Sequence, residues 1–393
     1  MIFFCEINKT GQEHVMVNAC FLHMISRYAG NQQLHLWADK DHFKNYKQKP
    51  TNLITHYKKV IHPEKSNKLL WLLKLFCEMF MITEIVVKSK KVKASLVFFS
   101  SLSPVGNWYL SLLLPLLNRK TAFLVMMHGE LELAKSHAWP KAIENFYGRL
   151  LRRCFKKKCV NRKFLLLGEV VFENVVEYGF LRKDQLIYIE HPYIFEDLHA
   201  KHLKIETPPI VFGHFGVAKL AKNSQLFFKL AKSMKDYIES GRVRFEVVGQ
   251  VFDEMAPYVN SYVHYPESTS FLSRSEYNQK GINLNYSLFF YDEQAYEFTS
   301  SGAVLDAITF TTPIIALNIK LFDKVFESSD HCSPGFLFQD FEAMKAAMPE
   351  IVAKHEYNYK QMVECIASKK KLFEIDTQFI PFKNQLDEFI LSN

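Results

Sequence analysis

The sequence predicts an α/β protein built as two Rossmann-like, doubly wound domains facing across a cleft. Three observations carry that expectation. Short apolar runs alternate with helix-spaced amphipathic stretches through residues 1–193, the pattern of a mostly parallel sheet covered on both faces. The alternation restarts after a polar, proline-terminated stretch, IFEDLHAKHLKIETP, at 194–208. In the second half, IVFGHFGVAKLAKN (210–223) and YDEQAYEFTSSGAVLDAITFTTPIIAL (291–317) each read as an apolar strand, a small-residue turn and an amphipathic helix.

The elements follow in order. IFFCEI (2–7) is a buried strand and GQEHVMVNACFLHMISRYA (11–29) has helical apolar spacing. LHLWAD (34–39), SLVFFSS (95–101), TAFLVMMHG (121–129), KFLLLGE (163–169) and QLIYIEHPY (185–193) read as strands. WYLSLLLPLL, WPKAIENFYGRLLRRCF (139–155) and VVFENVVEYG (170–179) read as helices between them. Beyond the linker, PIVFGHFG, VRFEVVGQ (243–250), SLFFY (287–291) and TPIIAL (312–317) are strands. NSQLFFKLAKSMKDYIES and SSGAVLDAITF are helices, and a helical pattern runs from FEAMKAAM to about residue 373. The expected organisation is an N-terminal domain at 1–193, a linker at 194–208 and a second domain at 209–380. A last helix at 381–393 is expected to pack back on the first domain. No short-period repeat is visible.

Composition narrows the classes. With 393 residues, 48% of them hydrophobic, the chain is long enough for about two cored domains and is not a disordered polymer. The net charge of +8 suits anionic partners such as phosphorylated ligands or anionic lipid. Seven cysteines, scattered and without a CxxC, argue for a reducing compartment and against a disulfide framework. Cys154 and Cys159 lack the histidine pair that would make a zinc site. The start MIFFCEIN has no basic region of a secretory signal, and no uncharged apolar run reaches the ~18 residues of a membrane span. LLWLLKLFCEMFMITEIVV (69–87) is broken by Lys74, Glu78 and Glu84, and WYLSLLLPLLN (108–118) is short and carries Pro115. The expected location is cytoplasmic, peripheral on the inner face of the cell membrane.

The two strand–turn–helix segments point to an anion. Such a turn aims backbone N–H groups and a helix N-terminus at one point. A lysine in the first segment and an acid in the second fit a nucleotide diphosphate, with lysine on phosphate and acid on ribose hydroxyls.

The second half resembles nucleotide-sugar glycosyltransferases of the GT-B fold, in particular the large retaining, family 4-like branch of bacterial surface-polysaccharide enzymes. Three features carry the resemblance, over roughly residues 209–320. Gly213-His214-Phe215-Gly216-Val217-Ala218-Lys219 stands where the family has G-R-x-x-x-x-K. Phe245-Glu246-Val247-Val248-Gly249 is similar to its next strand and glycine turn. Ser300-Ser301-Gly302-Ala303-Val304-Leu305-Asp306-Ala307, followed by TTPIIAL, is similar to the helix that carries the second acid of an E-x7-E pair. There are two departures. His214 replaces the arginine. Asp306 replaces the second glutamate, and the position eight before it is Phe298, with Glu297 one residue away and Glu293 further up. More loosely, Gly11, His14 and Asn18 follow strand one where such enzymes line the acceptor cleft. His128-Gly129-Glu130 ends a strand where a histidine often stands near the transferred sugar.

The resemblance implies a set of roles, each with a plainer reading beside it. Lys219 neutralises the leaving diphosphate, or is a solvated helix-start lysine like Lys222. Gly213, Phe215 and Gly216 form the phosphate turn, Gly216 by permitting close backbone approach. His214 donates to phosphate in place of arginine, or is a turn histidine packed on Phe215. Ser300, Ser301 and Gly302 hold phosphate through backbone N–H groups, or simply cap the helix. Asp306 binds ribose hydroxyls or pairs with a lysine, and Glu297 meets the donor sugar or is an exposed loop acid. Ser273, Arg274 and Tyr277 are placed near the base. His128 steadies the donor sugar or moves a proton, or is structural. Gly11, His14 and Glu130 are assigned to the acceptor side, His14 and Glu130 being the other groups able to act as a base. A retaining enzyme needs no such base, because the leaving phosphate takes the acceptor proton.

A dense basic stretch holds Arg149, Arg152, Arg153, Lys156, Lys157, Lys158, Arg162 and Lys163, and a second holds Lys88, Lys90, Lys91 and Lys93. Both are either solvated faces or attractors of anionic lipid. No nucleic-acid module accompanies them. The expected activity is sugar transfer from a nucleotide-diphosphate sugar to a lipid-linked glycan acceptor in surface polysaccharide biosynthesis, with no cofactor and no metal. A nucleotide-sugar epimerase on the same fold and a non-catalytic, membrane-associated scaffold are the alternatives.

Overall fold

The computed structural model describes residues 1–46, 49–51, 53–61, 68–135, 141–195, 208–266, 272–327 and 332–392. Most of the linker read at 194–208 therefore lies outside the described residues. The chain divides into two compact units. Unit 1 is Met1–Ile194 with Phe298–Ser300 and Leu372–Asn393, and unit 2 is Phe195–Glu297 with Ser301–Lys371.

Unit 1 has seven parallel strands: β1 (Ile2–Glu6), β2 (Leu34–Ala38), β3 (Leu53–Tyr57), β4 (Leu96–Phe99), β5 (Ala122–Met126), β6 (Arg162–Leu167) and β7 (Leu186–Ile189). Their order across the sheet is β3-β2-β1-β4-β5-β6-β7. The helices are α1 (Val15–Ala29), α2 (Lys40–Lys44), α3 (Lys68–Lys91), α4 (Pro104–Leu117), α5 (Ala142–Lys156) and α6 (Glu169–Glu177). The two-residue period of a strand splits β1 between two cores. Phe3 and Cys5 join Ile82 of α3, Leu110 of α4 and Leu151 of α5 on one face. Ile2 and Phe4 join Phe21 of α1 and Phe382 on the other. Burial on both faces is why β1 reads as an unbroken apolar run rather than an alternating one.

Unit 2 has six parallel strands: β8 (Ile210–Ala218), β9 (Val243–Val251), β10 (Val263–His264), β11 (Tyr286–Phe289), β12 (Ile314–Leu317) and β13 (Gly335–Phe338). Their order is β10-β9-β8-β11-β12-β13. Its helices are α7 (Gln225–Ser233), α8 (Lys235–Glu239), α9 (Arg274–Ile282), α10 (Gly302–Thr309), α11 (Asp323–Phe326), α12 (Phe341–Ala353) and α13 (His355–Phe373). Phe212, Phe245, Tyr286 and Tyr359 centre its core. A last helix, α14 (Ile375–Leu391), packs in unit 1 against β7 and α1. There the Gln385 amide accepts from Tyr188 N–H (3.2 Å) and donates to Tyr188 O (2.8 Å), occupying the open edge of β7.

The structure corrects several local readings. The turn expected at Gly213–Ala218 is strand: β8 pairs with β9 through Ala218, and the chain reverses only at 219–224. Gly213 is a glycine for packing, since a Cβ there would collide with the Leu284 side chain. The first helix starts at Val15, not Gly11, because the chain still turns there, with positive φ at Gly11 and His14. β5 ends at Met126, and a 3-10 turn follows at Gly129–Ala134. Cys332 and Cys365 are joined in a disulfide with Cα atoms 5.8 Å apart, a cross-link that the cysteine spacing argued against. Arg162 leaves the basic surface stretch altogether. It is buried, donates to the Cys154 carbonyl (3.2 Å), and lies over the Phe164 ring.

Candidate functional site

In unit 2 the candidate residues gather at the C-terminal edge of the sheet, where open α/β sheets bind ligands. β8 carries the chain to Gly216, which has φ +78°. A Cβ on Gly249 of the neighbouring strand would run into the Gly216 carbonyl, so the two backbones approach more closely than any side chain permits. The turn after β8 is held by Ser224. Its Oγ accepts from Lys219 N–H (3.0 Å) and meets His214 Nε2 (3.0 Å). Asn223, at φ +53°, then reverses the chain into α7.

That reversal brings a second lysine to the turn. Lys219 sits at the N-cap of a short 3-10 turn, Leu220–Lys222. Lys222 folds back toward Gly216: its Nζ lies 3.4 Å from where a Cβ there would stand. Burial, then the Lys219 charge, pull its pKa down to about 8, with Asp306 acting in the opposite sense. A desolvated ammonium beside a second one lacks sufficient negative charge, and an anion would supply it. The sequence reading gave Lys222 to solvent. The signal available was the asparagine directly after it, the residue type most able to take a left-handed turn.

Asp306, on α10, closes the other side. It accepts from Tyr277 OH (2.7 Å), and Arg274 Nη1 lies 3.7 Å from its second oxygen. Tyr277 is backed by Phe215 and Phe310, whose rings stack 5.4 Å apart. Arg274 and Tyr277 thus join the cluster, but Ser273 does not. Its hydroxyl caps α9 in a reciprocal box with Glu276 (3.3 and 2.9 Å). His214 is buried, and burial followed by the Lys222 charge holds its pKa down to about 3. It is neutral and cannot replace the arginine's fixed charge. At the head of α10, Ser301 makes no side-chain cap and its Oγ instead meets Tyr291 OH (3.1 Å). Gly302 is exposed, with open space where a Cβ would stand.

Phe298–Ser300 belongs to unit 1. Phe298 N–H donates to Glu132 Oε1 (2.8 Å), the Phe298 ring is buried among Tyr178 and Phe180, and Thr299 stands beside Gly129. The position eight before Asp306 is thus taken by a core aromatic. Glu297, half-buried, directly precedes this anchored segment.

In unit 1 the candidates collect where the strand order turns back, at the ends of β1, β4 and β5. His128 Nε2 donates to the Ser100 carbonyl (3.0 Å), which leaves Nδ1 as the unprotonated nitrogen. Burial, then the nearby Lys9, hold His128 down to about 3. The His14 ring stands edge-on to it, with centroids 4.5 Å apart, and is likewise lowered, by desolvation and then by His128 and Lys9. Burial pushes the Glu130 carboxyl up, and its Oε1 has no hydrogen-bond partner among the described residues.

Gly11 is placed by a buried network. Its carbonyl accepts from His42 Nδ1 (2.7 Å) and Asn45 Nδ2 (3.0 Å). His42 Nε2 donates to Glu6, which also takes Tyr46 OH (2.5 Å) and the Asn18 amide. Burial works to discharge His42, but Glu6 and the Gly11 carbonyl outweigh it and raise its pKa. Asn18 is therefore an anchor of the network that holds the Gly11 turn. Among the described residues, no group of three or more His, Cys, Asp or Glu side chains could hold a metal ion.

No family model matches the sequence, and no curated protein matches it. Solved structures do. Anabaena Alr3699/HepE in complex with UDP and glucose matches with a TM-score of 0.64 at 12% identity, covering 100% of this chain and 99% of that one. A glycosyltransferase from Rickettsia africae matches at 0.62 and 12%, again over 100% and 99%. The pneumococcal O-GlcNAc transferase GtfA in complex with UDP and GlcNAc matches at 0.55 and 13%, over 81% of this chain and 60% of that one. At such identities the likeness establishes the fold, and the two parallel-sheet α/β units of seven and six strands are those of the GT-B glycosyltransferases.

Proposed function

We propose that the chain is a glycosyltransferase that moves a sugar from a nucleotide-diphosphate donor held by unit 2 to an acceptor held by unit 1. One observation carries the reading: Gly216, Lys222 and Asp306 converge at one edge of a GT-B donor-type sheet. Gly216 permits close backbone approach to a diphosphate. Lys222 meets the negative charge that grows on the leaving oxygen, with Lys219 adding field from behind. The first N–H groups of α10 supply further donors. Asp306, held in place by Tyr277 and Arg274, offers a carboxylate to ribose hydroxyls. Glu297 is the acid assigned to the donor sugar.

On the acceptor side, His128 is neutral and its Nδ1 can accept a hydrogen bond or a proton. Glu130, pushed up by burial, can donate one. In a retaining reaction the leaving phosphate takes the acceptor proton, and His128 positions rather than abstracts. We take the acceptor to be a lipid-linked glycan of a surface polysaccharide pathway, in keeping with the resemblance in the second half.

Thermal stabilisation by UDP, GDP, CMP and dTDP sugars tests the reading. A ligand that binds only the native state raises the melting temperature by mass action. The expected result is a shift with one nucleotide that disappears in Lys222→Ala and Asp306→Ala. No shift with any of them at millimolar ligand favours the non-catalytic scaffold, which the neutral His214 would then explain.

A further inference from the structure

We infer that unit 1 carries a second acceptor subsite, beyond the sugar that receives the transfer, which seats a sugar unit bearing an acidic group. The inference rests on the reading of unit 1 as the acceptor side. A cavity of about 590 Å³ lies at the C-terminal edge of the sheet. It is walled by residues 10–11 after β1, 39–41 after β2 and 57–60 at the end of β3. Its volume falls in the range of small-ligand sites.

The three walls are tied to one another by hydrogen bonds, with Asp39 as the central brace. Its Oδ1 accepts from Asp41 N–H (2.9 Å) and His42 N–H (3.2 Å), and its Oδ2 accepts from Val60 N–H (3.1 Å). Lys58 N–H donates to the Ala38 carbonyl (3.0 Å). The Gly11 carbonyl, held by His42 and Asn45, fixes the third wall to α2. A ligand that enters therefore has no loop to order.

Charge sets the ligand class. The cavity is lined by two aspartates and three lysines. Asp39 is met by the N–H groups above, Asp41 pairs with Lys44 (2.7 Å), and Lys58 pairs with Glu84 of α3 (2.9 Å). Lys40 and Lys59 are left over, both exposed and neither ion-paired among the described residues. Their uncompensated charge attracts an anion. Tyr57, on the same wall as Lys59, is 48% exposed. An aromatic ring bare to a cavity offers an apolar face to the C–H side of a sugar ring and a hydroxyl at its tip. A bare anion has no use for that face, so the ring and the lysines together select an acidic sugar.

Position sets its place in the acceptor. The sheet runs β3-β2-β1-β4-β5, so the middle of the cavity, over β2, stands three strand spacings, roughly 14 Å, from the end of β5 that leads to His128. That is longer than one sugar ring. The unit held there is not the one that reacts but one further along the same glycan. The Gly11 turn bounds the cavity and leads to His14, which joins the two places by one loop.

The test is isothermal titration of the full chain with two acidic sugars and their neutral counterparts: a hyaluronan hexasaccharide against chitohexaose, and glucose 6-phosphate against glucose. At least one acidic sugar should bind about tenfold or more tighter than its counterpart, and the preference should fade as salt is raised. Which of the two it is names carboxylate or phosphate as the acid. Lys40→Gln with Lys59→Gln should remove the preference without change in melting temperature, since both side chains are exposed. Tyr57→Ala should weaken the same sugar by about fivefold and keep the preference. No preference in the parent chain at low salt overturns the proposal. So does a preference that survives Lys40→Gln with Lys59→Gln, which would put the anion elsewhere. A chain that shows the preference but gains no stability from any nucleotide sugar keeps the acidic-sugar site and loses the transfer reading.

Discussion

The two units place chemically opposite groups at equivalent sheet edges. In unit 2 the candidates are charged and partly neutralise one another: Lys222 and Arg274 around Asp306, with Lys219 behind. In unit 1 the His14 and His128 rings are held uncharged, and burial pushes the Glu130 carboxyl up. An excess of desolvated positive charge suits a ligand that is anionic before it binds. Neutral hydrogen-bonding groups suit a polyhydroxylated one, to which a fixed charge would offer little. On the proposed reading, the same fold element would serve two ligand classes by the charge its buried groups keep.

The contrast breaks first at Lys222. We expect Lys222→Ala to lower kcat/KM by about a hundred- to a thousandfold, the scale of losing one preorganised donor to a developing anion. A loss of less than about threefold in steady-state transfer kinetics would remove the contrast. His128→Ala should cost about a hundredfold. Because its pKa is held down to about 3, kcat/KM of the parent should show no limb near the usual histidine range, and a limb there would contradict the neutral cluster.

A third expectation concerns acid stability in unit 2. His214 and His355 are buried, with pKa values lowered to about 3 and about 4, mainly by burial. The unfolded chain takes up protons first, so their contribution is complete above about pH 6.5 and shrinks as pH falls toward the folded values. Each should cost up to about 1.4 kcal/mol per pH unit in that window. Denaturant melts at stepped pH should show a shallower slope in His355→Gln. The smallest effect belongs to Lys219→Ala, within about tenfold on kcat/KM, since one lysine's field acts through another. If Lys219→Ala and Lys222→Ala are equally damaging, the two lysines share the anion.

Much of the fold was legible because strands buried on both faces leave continuous apolar runs, as in IFFCE and AFLVM. The strands left unread are β3, β10 and β13, and all three are edges. An edge strand is covered on fewer sides, so LITHY stays only half-buried and GFLF is too short to stand out. Gly216 and Asp306 could be picked out in the sequence as candidates, whereas the place of the turn and the approach of Lys222 to Gly216 could not. Spacing counts residues, and Asn223 changes direction without changing the count. Phe298 shows a similar limit. As a sequence position it is a missing acid, and only packing against Tyr178 and Phe180 reveals that the place is occupied by core.

The hydrogen bonds from Gln385 to the edge of β7 set an order on synthesis. Unit 1 holds the first part of the chain and residues from Leu372 onward, so its last helix leaves the ribosome only after all of unit 2 has been made. Until then β7 presents an unpaired edge, the kind that pairs with other chains. The nascent protein must therefore carry a vulnerable half-sheet through the translation of a whole second domain, and α14 is the segment whose arrival ends that exposure.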